Sequence, residues 1–122
     1  MSDVKQVIVM RKDLKMRRGK EIAQGAHASM AFLAKKALRR EDFTDVERVW
    51  LEGLFTKVCV RVSSEEELLA VAERAGGAGI RVEVITDSGR TEFGGLPTRT
   101  CLALGPDLAE KIDAVTGTLE LY

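Results

Sequence analysis

Val7-Ile8-Val9-Met10-Arg11-Lys12-Asp13-Leu14-Lys15-Met16-Arg17-Arg18-Gly19-Lys20-Glu21-Ile22-Ala23-Gln24-Gly25-Ala26-His27-Ala28 decides how this chain is read. The apolar, β-branched start has no polar alternation, which suits a central strand buried on both faces, over Lys5 to Arg11. Arg17-Arg18-Gly19 closes a basic loop. Helical periodicity then sets in from Lys20 to about Leu38. Ile22, Ala26, Met30, Leu33 and Ala37 make one apolar stripe, predicted to face the sheet. Lys20, Gln24 and His27, at i, i+4 and i+7, make a second stripe at the helix start. Lys35, Lys36, Arg39 and Arg40 fall near its end, where they complement the helix dipole.

Working outward, the spacing predicts a second helix over Phe43 to Leu54, with Phe43, Val46, Val49, Trp50 and Leu54 turned inward. Lys57 to Val62 is a strand with three valines on one face. Ser64 and Glu67 form a capping box for the next helix. That helix is buried by Leu68, Leu69, Val71 and Ala72 and stopped by Gly76, Gly77 and Gly79. A third strand runs Ile80 to Thr86 and a fourth Arg99 to Leu104. No helix joins them, so the fourth is expected antiparallel. Gly105-Pro106-Asp107 is read as the start of a last helix through about Val115, and Leu119 to Tyr122 as an extended tail. The class is α/β: residues 1–122 form a single domain, with a four-stranded mixed β-sheet and helices on both faces.

Composition narrows the function. A chain of 122 residues with 45% hydrophobic and 31% charged content can bury one core. The apolar runs near the N-terminus are too short to span a membrane, and no signal-peptide pattern precedes them. Cys59 and Cys101 lie inside apolar strand runs and read as reduced core residues. These features point to the cytoplasm. Net charge is zero, yet residues 1–40 hold eleven Lys/Arg against three Asp/Glu, and residues 41–122 hold eight against sixteen. A basic N-terminal third can mark a face for a polyanion, or simply neutralise the rest across the fold.

Several stock sites are excluded. Gly19-Lys20 lacks the upstream glycine and the following Ser/Thr of a phosphate-binding loop. One histidine and two separated strand cysteines make no zinc site. No Gly-x-Ser-x-Gly elbow occurs. Ligands of open α/β sheets bind beyond the carboxyl ends of the strands. Here those ends are the loop from Arg11 to Lys20 and the polar loop Asp87-Ser88-Gly89-Arg90-Thr91. The remaining candidates are Lys20, Gln24, His27, Asp87 and Thr91, with Arg17, Arg18 and Arg90 around them. A carboxylate beside a lysine can orient a water, and a lysine at a helix start can hold a phosphate or an oxyanion. The set suits hydrolysis of an ester on a polyanionic carrier. Asp87 is also an ordinary turn-former, and His27 an ordinary packed helix residue.

At these residues the chain resembles the type-two peptidyl-tRNA hydrolases, the group typical of archaea and eukaryotes. The block Val7 to Ala28, then Asp87-Ser88-Gly89-Arg90-Thr91, Leu104-Gly105-Pro106 and Val115-Thr116-Gly117-Thr118-Leu119-Glu120-Leu121-Tyr122 follow the family's order. The resemblance implies hydrolysis of the ester between a peptide and the terminal ribose of tRNA. It implies Lys20, Asp87 and Thr91 as the active centre, with Asp87 positioning the water, Thr91 ordering that network and Lys20 steadying an oxyanion or phosphate. Arg17, Arg18, Gln24, His27 and Arg90 are the expected substrate-binding residues. No metal or cofactor is implied. A homodimer is, with the small-residue helix face as a candidate contact. The chain departs from the family at Glu92-Phe93-Gly94-Gly95-Leu96-Pro97-Thr98, where many members have Gln and a loop ending in Gly-Ser. Alternatives left open are a catalytically silent RNA-binding module, a hydrolase of another acyl ester, and a protein-interaction adaptor.

Overall fold

The computed structural model describes residues 3–90 and 92–122. Thr91 therefore lies outside the described residues. Four strands, β1 (Val4–Arg11), β2 (Lys57–Val62), β3 (Val82–Asp87) and β4 (Thr98–Leu108), form one sheet in the order β2-β1-β4-β3. β1 and β2 are parallel, with Val7 opposite Val58 and Val9 opposite Val60. β4 runs antiparallel to both β1 and β3, as its helix-free connection predicts. The helices are α1 (Arg18–Arg39), α2 (Asp45–Glu52), α3 (Glu65–Gly77) and α4 (Ala109–Thr116).

The unbroken apolar run of β1 is explained by cover on both sides. Val7 and Val9 join Val60, Val62, Leu102 and Leu104 against Leu68, Val71 and Ala75 of α3 and Ile112 and Val115 of α4. Met10 points the other way, with Cys101 and Ala103, toward Ala28 of α1 and Met16. Each valine, leucine, isoleucine or methionine so withdrawn from water stabilises the fold by roughly 1.5–3 kcal/mol before entropy is counted.

The structure corrects the face assigned to α1. Ile22 is 66% exposed and Met30 60% exposed, and the buried residues are Gln24, Gly25, Ala28, Ser29, Phe32 and Lys36. The reason is polar. The sheet presents fully buried Gln6 and Thr100 to this helix. A buried amide or hydroxyl without a partner is costly, so the stripe that carries partners wins. Ser29 Oγ donates to Gln6 Oε1 at 2.5 Å, Gln6 Nε2 donates to the Ser29 carbonyl at 3.0 Å, and Thr100 Oγ1 donates to Gln24 Oε1 at 2.5 Å. The predicted stripe instead opens, with Ile8, Phe55 and Tyr122, onto an apolar groove of about 870 Å³ beside β2.

Three further corrections follow. α2 is shorter than expected and begins at a true capping box of Thr44 and Glu47, while Leu54 is 94% exposed. The box at α3 is displaced: Ser64 Oγ accepts from Glu67 N, but Glu67 Oε2 accepts from Ser63 N. Gly105-Pro106-Asp107 does not start α4. β4 continues through it, pairing Asp107 with Lys5 and Leu108 with Val4 beyond a bulge, and α4 starts at Ala109. Gly105 sits at φ +82, a conformation that lets the strand kink and resume. The tail is extended as expected, with Leu121 bridging Val60.

Lys36 also differs from the dipole reading. Its ammonium is buried and paired with the equally buried Glu47 carboxylate, and it donates to the Asp42 carbonyl at 3.1 Å. This pins α2 to the end of α1. Cys59 and Cys101 are free thiols on β2 and β4. Among the described residues no helix is long and apolar enough to cross a membrane.

Candidate active site

β4 is antiparallel to both of its neighbours, so β1 and β3 point the same way and end at one edge of the sheet. Asp87 is the last residue of β3, and Lys20 stands in the first turn of α1, which the loop after β1 leads into. The two meet: Lys20 Nζ donates to Asp87 Oδ1 at 2.7 Å, with the side chains only 16% and 10% exposed. Gln24, one turn on, donates from Nε2 to the same oxygen at 3.3 Å. The other oxygen, Oδ2, accepts from the Gly89 amide at 2.9 Å.

Asp87 is thus both a turn-former and a member of the cluster. Its Oδ2 closes the Asp-Ser-Gly turn, and that bond aims Oδ1 at α1. Gly89 is required there: it sits at φ +82, and a Cβ would come within 2.3 Å of the Leu96 carbonyl oxygen. The Lys20 hydrogen bond, with help from the Gly89 amide and the positive charge of Lys20, holds the Asp87 carboxyl below its ordinary value despite the opposing effect of burial. The group is ionised throughout the neutral range.

Gln24 is oriented from below. Its Oε1 accepts from Thr100, which is fully buried on β4, so its amide nitrogen must face Asp87. Thr100 is a member of this network that sequence reading missed. Its only mark was a hydroxyl inside an otherwise apolar strand run. His27 is exposed rather than packed. Arg17 is exposed and pairs through Nε with Glu92 Oε1 at 3.1 Å. Arg18 is exposed and borders the apolar groove, and Arg90 is exposed on the loop after β3. Among the described residues no group of three or more His, Cys, Asp or Glu could hold a metal ion.

The sequence matches the family described as peptidyl-tRNA hydrolase PTH2 over residues 4–122. The chain belongs to the PTH2 family. Its relatives include the peptidyl-tRNA hydrolase of Nanoarchaeum equitans, 46% identical over 98% of this chain and 99% of that one. That of Methanocaldococcus jannaschii is 41% identical over 97% and 99%. The human mitochondrial peptidyl-tRNA hydrolase 2 is 38% identical over 98% of this chain and 65% of its own length. A solved structure of a protein of unknown function from Agrobacterium tumefaciens covers 100% of this chain with a TM-score of 0.64 at 14% identity, a likeness of fold alone. In this PTH2 chain the Lys20–Asp87 pair joins the first two of the four sequence blocks on which the resemblance rests.

Proposed function

We propose that this PTH2 chain hydrolyses the ester of peptidyl-tRNA, releasing the peptide and recycling the tRNA, with Lys20, Asp87 and Thr91 as its active centre. The observation that carries the proposal is the ionised Asp87 carboxylate held against the Lys20 ammonium at 2.7 Å. A carboxylate has about four acceptor positions. Among the described residues, Lys20, Gln24 and Gly89 take three of those on Asp87, two on Oδ1 and one on Oδ2. The second position on Oδ2 is the place for the attacking water. Asp87 orients that water, which attacks the ester carbonyl. The bond to the ribose oxygen then breaks, and that oxygen leaves with a proton from the water. Lys20 lies beside the same carboxylate, where its charge steadies the oxyanion formed on the carbonyl. Thr91 orders the water network.

Arg17, Arg18, Gln24, His27 and Arg90 bind the substrate around this centre. No metal is called for, since the lysine supplies the positive charge. The reaction takes place in the cytoplasm, where peptidyl-tRNA is released. The protein works as a homodimer joined through the outward apolar face of α1. Ile22, Met30, Phe55 and Tyr122 expose apolar side chains together there, as contact surfaces between proteins do. Sedimentation of the wild type against Met30→Glu tests the dimer, which the charge should split.

The activity is tested by release of tRNA from an N-blocked peptidyl-tRNA, with an unblocked aminoacyl-tRNA alongside. Cleavage of the blocked substrate alone supports the proposal. Binding without cleavage supports a silent RNA-binding module, and equal cleavage of both supports a broader acyl-ester hydrolase.

A further inference from the structure

We infer that Glu92 is a positioning residue for Arg17, holding its guanidinium so that the outer nitrogens meet a phosphate near the tRNA acceptor end. The inference rests on the reading of this site as a peptidyl-tRNA site. A carboxylate beside an RNA site should repel phosphate. The geometry gives it a different part.

The contact is one-sided. Only Nε of Arg17 meets Glu92, at 3.1 Å, and among the described residues neither Nη group has a partner. A guanidinium presents five donors in a fixed plane, so fixing Nε aims the remaining fork. Exposure is also unequal: the Arg17 side chain is 82% exposed, while that of Glu92 is 19% exposed. The carboxylate is the anchor and the arginine the arm.

Both ends of the pair rise from one apolar cluster. Met16, the residue before Arg17, is buried in the cluster with Met10 and Cys101, and Phe93, the residue after Glu92, packs against it. The loop carrying Glu92 is closed by Gly95 N donating to the Gly89 carbonyl and Leu96 N donating to the Phe93 carbonyl, at 3.1 and 3.0 Å. The Lys20–Asp87 pair and the Arg17–Glu92 pair therefore cross the same junction between the same two loops. Exposed ion pairs contribute little to stability, so holding the fold together does not account for this one. Orienting a phosphate-binding arginine does.

The test is steady-state hydrolysis of an N-blocked peptidyl-tRNA by wild type, Glu92→Ala, Glu92→Gln, Arg17→Ala and the Ala/Ala double variant, with melting curves for each. Glu92→Ala should raise KM roughly three- to tenfold, with the loss falling on KM rather than kcat and the melting temperature unmoved. Glu92→Gln should recover most of that loss, because the amide oxygen still accepts from Nε. Arg17→Ala should cost at least as much, and adding Glu92→Ala to it should cost nothing further. Arg17→Ala should also shallow the salt dependence of kcat/KM by about 0.7 in log-log slope, the value for one phosphate contact to a single strand. A KM that is unchanged or lower in Glu92→Ala overturns the inference, as does the same loss in the Arg17→Ala background. Those results, with wild type active, leave the reading of the site standing. A wild type that cleaves nothing removes both.

Discussion

Lys20 Nζ lies 2.7 Å from Asp87 Oδ1 although 67 positions separate the two residues in sequence. The contact joins the start of α1 to the end of β3, two elements that are not neighbours in the chain. It forms because β1 and β3 share a direction across the intervening β4. The site is a product of sheet topology, with each half supplied by one strand-end loop.

The pair gives stability a pH dependence. Hydrogen bonding to Lys20 holds the Asp87 carboxyl below its ordinary value of 3.8. The folded state thus binds this proton more weakly than the unfolded state. The stabilisation from Asp87 is fully present above the unfolded value and is lost as pH falls through the lower, folded one. Asp87→Asn should lower the melting temperature equally at pH 8 and pH 5, by an amount corresponding to roughly 1–3 kcal/mol for a part-buried charged partner left unmatched. The gap should close below about pH 4. Thermal melts of both proteins across that range check it, and a gap that grows toward acid would show the sign to be wrong.

Thr100 should matter to catalysis without touching substrate. Thr100→Val keeps shape but removes the hydroxyl that fixes the Gln24 amide. The amide can then turn its oxygen toward the Asp87 carboxylate, a repulsive arrangement. A fall in kcat of about tenfold is expected, corresponding to about 1.4 kcal/mol, and Gln24→Ala should erase the difference between Thr100 and Val. Rates for the four members of that cycle decide it. Additive losses would separate Thr100 from Gln24.

Lys36 and Glu47 offer a stability test remote from the chemistry. Each is 6% exposed, so removing one strands the other's charge in the interior. Glu47→Ala should cost about 3–5 kcal/mol, whereas the pair Lys36→Met with Glu47→Leu should cost only about 1–2 kcal/mol, chiefly for the lost bonds to Thr44 and Asp42. Denaturant unfolding of the three proteins reads this directly. A single variant as stable as the wild type would mean that water reaches the pair.

Much of this was legible in the sequence, and the failures share a cause. The β-branched run Val7 to Val9, the strand Lys57 to Val62 and the Ser64 cap are local signals, and each formed where expected. That Lys20 and Asp87 could meet was legible because Asp87 ends one strand and Lys20 follows the loop that leaves another. The face of α1 was not. An apolar stripe and a mixed polar one compete on that helix, and the choice belongs to Gln6 on the preceding strand and Thr100 on the distant β4. The extension of β4 through Gly105 and Pro106 was hidden for the same reason, since turn-forming residues were overruled by pairing with Val4 and Lys5. Thr100 escaped because a lone strand threonine is unremarkable until its partner is known.

The most direct measurement is single-turnover release of tRNA from an N-blocked peptidyl-tRNA by wild type, Asp87→Ala and Lys20→Ala. The account predicts cleavage by the wild type and a loss of about 10²-fold or more in the chemical step for each variant, with tRNA still bound. Cleavage by Asp87→Ala at the wild-type rate would contradict it.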